Sequence, residues 1–342
     1  MSQEMEVLLL SQQDVIAAGA LDFEAAIADE EKAYSMLDAG QADEPICPQI
    51  WFRGPEVGTA FIAFHPGALA GDVDVAGIKV VGRFPENPRR FGIPSIVAIT
   101  ELMDRDSGKP LALMDGTLIT AVRTGVSTAV GAKYLARRDS RVAGLLGAGV
   151  MGRTQIMALA RVLPHLEDVR IYDIRPEKAT AFAQEMSRET GLKIRAVGTP
   201  EEAVHDADVV APTTVVTLDQ RYIRAEWIKK GAFLANVSDN DYTFEAVKKA
   251  DRIVVDGHKQ FTIPVVLGEM VKQGMIRVED TTTIGAIING KAPGRQREDE
   301  TIFFSALGMG LHDITIARRV YNRAREMGLG QRWCLWEKPH WT

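Results

Sequence analysis

Cysteine is nearly absent. The 342 residues include two, Cys47 and Cys334, far apart and outside any CxxC pair. That excludes a disulfide framework, and two reduced thiols fit a reducing compartment. Histidine is scarce as well. The six, at 65, 165, 205, 258, 312 and 340, form no HExxH or similar pair, so a metal site is not expected. No apolar run approaches the ~20 residues that span a bilayer. The opening residues, MSQEMEVLLLSQQD, carry acids where a signal peptide carries bases. Positive charge is not in excess either: the net charge of −6 gives nucleic acid and anionic membranes no reason to bind. What is present, 46% hydrophobic and 25% charged residues, is ordinary for a soluble globular chain. The length suits roughly two domains, and a cytoplasmic protein is expected.

The most informative stretch is residues 142–173, VAGLLGAGVMGRTQIMALARVLPHLEDVRIYD. An apolar run over 142–146 leads into Gly147-Ala-Gly149-Val150-Met151-Gly152. Ile156, Leu159, Ala160 and Leu163 follow at helical spacing, and a second apolar run, 169–172, ends in Asp173. This reads as strand, glycine turn, helix, strand, acid. In a dinucleotide-binding βαβ unit Gly147 permits the tight turn, Gly149 lets the backbone approach a pyrophosphate, and Gly152 lets helix and strand pack closely. The helix N-terminus offers free N–H groups to phosphate. Asp173 lies 21 residues beyond Gly152, where a carboxylate accepts hydrogen bonds from a ribose diol. A lone GxGxxG is weak evidence; here its context agrees. The acid favours NAD over NADP because it repels a 2′-phosphate, a repulsion that Arg175 softens.

Around this unit the chain falls into two kinds of pattern. Residues 7–10 read as a strand, Ser11 as an N-cap, and a helical pattern runs to Leu37. Residues 41–55 read as irregular, 59–65 and 77–82 as β-like, 84–90 as a loop, and 95–103 with 110–114 as a hairpin. A helix rich in small residues is expected over 117–135. From Arg141 strands (142–146, 169–173, 194–197, 209–211, 233–237, 253–255) alternate with helices (153–163, 176–190, 201–205, 225–230, 243–250), which predicts a doubly wound parallel sheet. Residues 288–295 read as a turn and 301–327 as one long helix. The antiparallel N-terminal β region cannot belong to the parallel sheet, so two domains follow.

Groups outside the βαβ unit must hold a substrate, because the cofactor carries only the hydride. Lys79, in Gly77-Ile-Lys79-Val-Val, sits on a strand face opposite Ile78 and Val80. A solvent-facing lysine is the ordinary alternative. Arg123 lies in a helix otherwise nearly free of charge until Lys133. Burial there requires an anionic partner, from the protein or from a ligand. Val237-Ser238-Asp239-Asn240-Asp241 closes a strand of the alternating region, at the sheet edge where α/β proteins bind ligands. Asp239 and Asp241 are candidate proton carriers toward an amine or imine, although the same residues make good turns and helix caps.

Several runs together resemble the ornithine cyclodeaminase/mu-crystallin family: Gly77-Ile-Lys79-Val-Val with Pro85-Glu-Asn-Pro88, Asp106-Ser-Gly108-Lys-Pro110, Thr120-Ala-Val-Arg123-Thr124-Gly-Val-Ser-Thr-Ala129, the 147–152 glycine turn, and Gly290-Lys-Ala-Pro-Gly-Arg295 through Ser305 to Asp313. The resemblance spans about residues 60–325. It implies a homodimer and an α/β architecture in which a Rossmann doubly wound parallel sheet domain, residues 125–304, interrupts a discontinuous α+β substrate-binding and dimerisation domain, residues 1–124 completed by 305–342. It also implies that Lys79 and Arg123 hold a substrate carboxylate. Ser95, Arg123, Thr124, Val150, Met151, Asp173, Arg175, Thr213, Thr214, Val237, Ser238 and Ser305 join the glycines around the cofactor.

Two departures bear on the reaction. Counted from Val237, Asn240 stands where cyclodeaminases of the family carry a catalytic aspartate, and an amide cannot exchange protons as a carboxylate does; Asn240 becomes a candidate substrate contact. Some carboxyethyl-glutamate dehydrogenases of the family instead have a Val-Ser-x-x-Asp turn, which Val237-Ser238 and Asp241 resemble. No Lys or Arg occurs over 33–52, where the family often places an arginine just before the first β hairpin, so Arg53 or Arg83 takes its place. Several cations suit a dicarboxylic substrate. The expected function is therefore an NAD(H)-dependent oxidoreductase acting on the CH–NH or C=N bond of a small, anionic amino or imino acid. An ornithine or lysine cyclodeaminase that recycles NAD internally, and a non-catalytic binder like the mu-crystallins, remain as alternatives.

Overall fold

The computed structural model describes residues 4–54 and 58–341. The chain divides into two compact units, Met1–Arg123 with Met309–Thr342, and Thr124–Gly308. In order, the first segment carries β1 (Met5–Leu10), α1 (Gln12–Ala17), α2 (Phe23–Asp38), β2 (Ala42–Asp43), β3 (Gln49–Gly54), β4 (Gly58–Leu69) and β5 (Val75–Arg83). It continues through α3 (Asn87–Arg90), β6 (Ile96–Met103), β7 (Pro110–Asp115) and the start of α4 (Thr117–Leu135). The second unit holds β8 (Val142–Leu146), α5 (Val150–Val162), β9 (Asp168–Tyr172), α6 (Pro176–Thr190), β10 (Lys193–Ala196), α7 (Pro200–Val204) and β11 (Val209–Pro212). It ends with β12 (Phe233–Asn236), α8 (Phe244–Lys248), β13 (Arg252–Val255), α9 (Val266–Lys272), β14 (Thr282–Thr283), α10 (Ile284–Ile288) and β15 (Ile302–Ser305). The chain then returns to the first unit through α11 (Gly310–Met327) and β16 (Gln331–Trp336).

In the first unit the strand order is β16-β1-β7-β6-β5-β4-β2, with β3 paired to β4. Neighbours are antiparallel except β1 and β7. Alternation on β5 buries Val75, Gly77, Lys79 and Val81 and leaves Val80 outward. The buried face is covered by α11, which packs on β4, β5 and β6. Contact is close enough that a Cβ at Gly310 would lie 2.7 Å from the carbonyls of His65 and Pro66. The outer face stays apolar, with Val80, Val97, Ile99 and Leu113 exposed.

Three expectations for this unit are corrected. The helical pattern after Ser11 is two helices. Ser11 and Asp14 form a capping box on α1, but Gly19, at φ +86 with the Arg323 guanidinium filling the space of its missing side chain, breaks the run before α2. Residues 41–55 contain β2 and β3, which pair with β4 on either side of a stretch that holds Pro45 and Pro48, and Pro55 lies outside the described residues. The loop over 84–90 contains one helical turn, α3.

The second unit is a doubly wound sheet of order β10-β9-β8-β11-β12-β15-β13-β14, parallel throughout. Strand order reverses between β8 and β11, so the turns that follow these two strands leave the same edge side by side. That is where open α/β sheets bind ligands. The fold is α/β, with a Rossmann-type sheet in this unit. The long helix expected over 301–327 is corrected to strand β15 and helix α11. All four residues of β15 are buried, as in a parallel strand covered on both faces. Residues 225–230 form a 3₁₀ turn at Ala225–Trp227 rather than an α-helix.

Candidate functional site

In the second unit the glycine turn joins β8 to α5. Gly147 has φ +105, and a Cβ there would meet Thr213 Oγ1 at 2.7 Å. Thr213 Oγ1 lies 3.1 Å from both the Leu146 and the Gly147 carbonyl oxygens. Gly152 needs its hydrogen because a Cβ would sit 2.4 Å from the Gly147 carbonyl oxygen. Around Gly149 the structure is open, with nothing within 4 Å of an added Cβ. Gly149 is also the N-cap of α5 and supplies no side-chain cap, so the first N–H groups of that helix are available to an external acceptor. Met151 is half-buried and Val150 exposed. Asp173 accepts from the Ala148 N–H at 2.9 Å and the Arg175 N–H at 3.0 Å, with Arg175 Nε 3.6 Å away. Its carboxylate thus ties the end of β9 to the glycine turn. An open cradle, an uncapped helix and an acid at the next strand end fit a dinucleotide, and NAD better than NADP.

The adjoining strand ends are held by hydroxyls. Asn236 Nδ2 donates to Ser305 Oγ at 2.9 Å. Beyond β12, Val237 and Ser238 are half-buried, Asp239 adopts φ +79, and Asn240 Nδ2 approaches the Val216 carbonyl at 3.5 Å. Asp241 is fully buried. Its Oδ1 faces Thr214 Oγ1 and the Tyr222 hydroxyl, the latter at 3.1 Å, and its Oδ2 faces Ser238 Oγ. Burial pushes the Asp241 carboxyl up to about 6, against the pull of the three hydroxyls. Burial and the neighbouring Asp241 likewise push the Tyr222 hydroxyl up.

The first unit contains a constellation of its own. Lys79 Nζ lies 2.6 Å from Asp313 Oδ2, with both side chains fully buried. Arg123 Nε lies 3.5 Å from the same oxygen, and Thr120 Oγ1 is 3.4 Å from Oδ1. In the β4–β5 ladder His65 stands directly opposite Lys79, and its Nδ1 lies 3.2 Å from Cys47 Sγ. Burial, then Lys79, pulls the His65 imidazole down to about 3; burial, then Arg123, does the same to His312. Both rings are held neutral near pH 7, and Lys79 and Arg123 both face the Asp313 carboxylate. Burial, then Arg123, lowers Lys79 from the usual lysine range despite Asp313. Asp313 is held below the usual carboxylate range by Lys79 and Arg123, which outweigh its burial.

Not every candidate gathers at these two places. Arg83 shares the Lys79 face of β5 in sequence, but its guanidinium stacks over Phe61 at 4.5 Å. Arg53 is exposed on β3. Ser95 is half-buried ahead of β6, its carbonyl accepting from Phe84 N–H, and the Thr124 carbonyl accepts from Gln155 Nε2 at 3.1 Å. Asp313, His65 and Cys47 went unassigned in the sequence. Asp313 enters only as the last residue of the family-resembling run, with no role given to it. Among the described residues, no group of three or more His, Cys, Asp or Glu side chains is placed to hold a metal ion.

Fold and glycine edge define a nicotinamide-dependent enzyme of the Rossmann class. The model of the ornithine cyclodeaminase/mu-crystallin family matches residues 5–328, and the chain belongs to that family. The chain is 28% identical to the N-((2S)-2-amino-2-carboxyethyl)-L-glutamate dehydrogenase of Staphylococcus aureus, over 95% of its own length and 97% of the relative's. A solved Δ1-pyrroline-2-carboxylate reductase of Thermococcus litoralis, in complex with NADH and L-proline, is 32% identical with a TM-score of 0.86, covering 95% of this chain and 99% of that one. An archaeal alanine dehydrogenase dimer with bound NAD is 30% identical with a TM-score of 0.86, covering 97% and 100%. The chain is an NAD-dependent oxidoreductase acting at the carbon–nitrogen bond of a small amino or imino acid.

Proposed function

We propose that this enzyme interconverts a 2-amino or N-substituted 2-amino acid and the corresponding imine, with Lys79 and Arg123 as the ligands of the substrate carboxylate. The observation that carries this reading is the convergence of both cations on the single buried carboxylate of Asp313. Two cations held side by side by one buried carboxylate make a pair of charge-assisted donors that suits a substrate carboxylate. Asp313 holds both cations in place. Thr120 and the neutral His65 add hydrogen-bonding groups without adding charge. NAD, when bound, accepts or supplies the hydride. Lys79 Nζ, with its lowered proton affinity, is the proton carrier, and Asp239 is the second candidate. In the other unit the glycine turn, Asp173, Thr213, Thr214, Ser238 and Ser305 hold the cofactor. Arg83, aligned on the Lys79 face, is the candidate for reading a second carboxylate.

The enzyme is proposed to act as a cytoplasmic homodimer. The exposed apolar row Val80, Val97, Ile99 and Leu113, two free cysteines and the dimeric relative support this. No helix among the described residues is long and apolar enough to cross a membrane. The test follows NADH absorbance with ammonia or small amines against a panel of mono- and dicarboxylic 2-oxo acids, and with cyclic imino acids. Steady oxidation of NADH supports the reading, and the best substrate shows how many carboxylates are read. Release of ammonia from ornithine or lysine at constant NAD would replace it with the lyase.

A further inference from the structure

Asp241 does not have the surroundings of a group that trades protons with a substrate. It is fully buried, and each of its carboxyl oxygens already faces at least one hydroxyl. Those hydroxyls come from three places: Thr214 in the turn after β11, Tyr222 further along that connection, and Ser238 in the turn after β12. Ser238 Oγ also lies 3.0 Å from the Pro212 carbonyl oxygen at the end of β11.

A count of hydrogens decides the state of the carboxyl. Each hydroxyl has one hydrogen to donate. Those of Thr214 and Tyr222 serve Asp241 Oδ1. That of Ser238 faces two acceptors, the Pro212 carbonyl and Asp241 Oδ2, and can serve one. With Asp241 ionised, one of those two oxygen–oxygen contacts holds no hydrogen. A proton on Oδ2 supplies that hydrogen: Oδ2–H donates to Ser238 Oγ, and Ser238 donates to Pro212, while the longer contact between Thr214 Oγ1 and the Tyr222 hydroxyl, at 3.3 Å, holds no hydrogen in either state. Burial moves this carboxyl toward the neutral form, to about 6, and a Ser238 hydrogen committed to Pro212 removes one of the three pulls that oppose the rise.

We infer that Asp241 is a positioning residue, a neutral carboxylic acid that locks the turn after β11 to the turn after β12, and not a proton donor or acceptor of the reaction. The inference rests on the reading that these two turns line the cofactor edge. Thr213 and Thr214 on one turn and Ser238 on the other are then held at fixed separation by one side chain that no ligand need touch.

An amide is the isostere of the neutral acid: its NH₂ donates where Oδ2–H does, and its oxygen accepts where Oδ1 does. The experiment compares Asp241→Asn, Asp241→Ala, Asp241→Val and the unaltered enzyme by NADH fluorescence titration and by steady-state kinetics across pH. The expected result for Asp241→Asn is an NADH dissociation constant within about twofold, a kcat lowered by less than about threefold, and an unshifted pH profile. Asp241→Ala, which takes the acceptor from the Thr214 and Tyr222 hydroxyls and cuts the link to Ser238, is expected to weaken NADH by ~10-fold or more. Asp241→Val, of comparable bulk but with no hydrogen-bonding group, is expected to weaken NADH as Asp241→Ala does; NADH binding retained by Asp241→Val would mean that the side chain only fills space and would overturn the inference. A fall in kcat of a hundredfold or more in Asp241→Asn, with NADH binding unchanged, would overturn the inference and make Asp241 a proton carrier. NADH that fails to bind the unaltered enzyme would instead refute the cofactor reading on which the inference stands.

Discussion

Replacing Asp313 with Asn tests the charge arithmetic of the first unit directly. The substitution keeps the shape of the side chain and removes the charge that Lys79 and Arg123 share. Removing one partner of a buried pair costs about 3–5 kcal/mol, because the charge left behind is neither solvated nor compensated. At roughly 2–4 °C per kcal/mol for a unit of this size, the melting temperature near neutral pH should fall by about 6–20 °C. The loss has a built-in limit: Lys79, already below the ordinary lysine range through burial and Arg123, can shed its proton. The pH dependence then has a defined sign. A base whose proton affinity is depressed in the folded state binds fewer protons folded than unfolded, so stability rises as pH rises from the folded value toward the ordinary lysine value near 10.4. Asp313→Asn should therefore recover stability as pH is raised, more steeply than the unaltered protein. The assay is thermal unfolding followed by circular dichroism from pH 6 to pH 10. A melting temperature within about 2 °C of the unaltered protein at neutral pH, or a deficit that does not shrink on raising the pH, would falsify the assignment of Asp313 as the counter-ion.

Other substitutions separate binding from folding. Lys79→Ala and Arg123→Ala should each raise KM for the anionic substrate by tenfold or more, since losing a charge-assisted bond costs ~1.5–3 kcal/mol, and in Lys79→Ala the NADH affinity measured by fluorescence should stay put; unchanged kinetics in a folded variant would make the cations structural. Asp173→Ala should weaken NAD and relax discrimination against NADP, and an unaltered ratio of the two dissociation constants would sink the ribose assignment. Gly149→Ala and Gly152→Ala should part company. The first meets open space and should melt normally yet bind NADH poorly. The second strikes the Gly147 carbonyl oxygen at 2.4 Å and should lose stability itself. Equal NADH affinity in Gly149→Ala and the parent would mean that no phosphate approaches that backbone.

Local physics wrote the cofactor edge into the sequence. A tight turn, a close helix–strand approach and an acid one strand later are each fixed by residues within about thirty positions of one another, so Gly147, Gly149, Gly152 and Asp173 could be read before any contact was known. Alternation likewise told that Lys79 faces away from Ile78 and Val80. What covers that face was beyond local reading, because Asp313 lies 234 residues downstream and only the docking of α11 on β4 and β5 brings it to Lys79. Burial also misled where it removed the pattern being read. Strand β15 is covered on both faces, so it shows no alternation and merges with the apolar run of α11. Gly19 shows the converse, a single residue whose positive φ, filled by a distant arginine, divides one helical pattern into two helices. The sequence by itself determined the class of chemistry, since a nicotinamide cofactor is recognised by a contiguous segment. Only the tertiary structure decided which charges meet, since an ion pair buried between a strand and a distant helix depends on packing that no local pattern encodes.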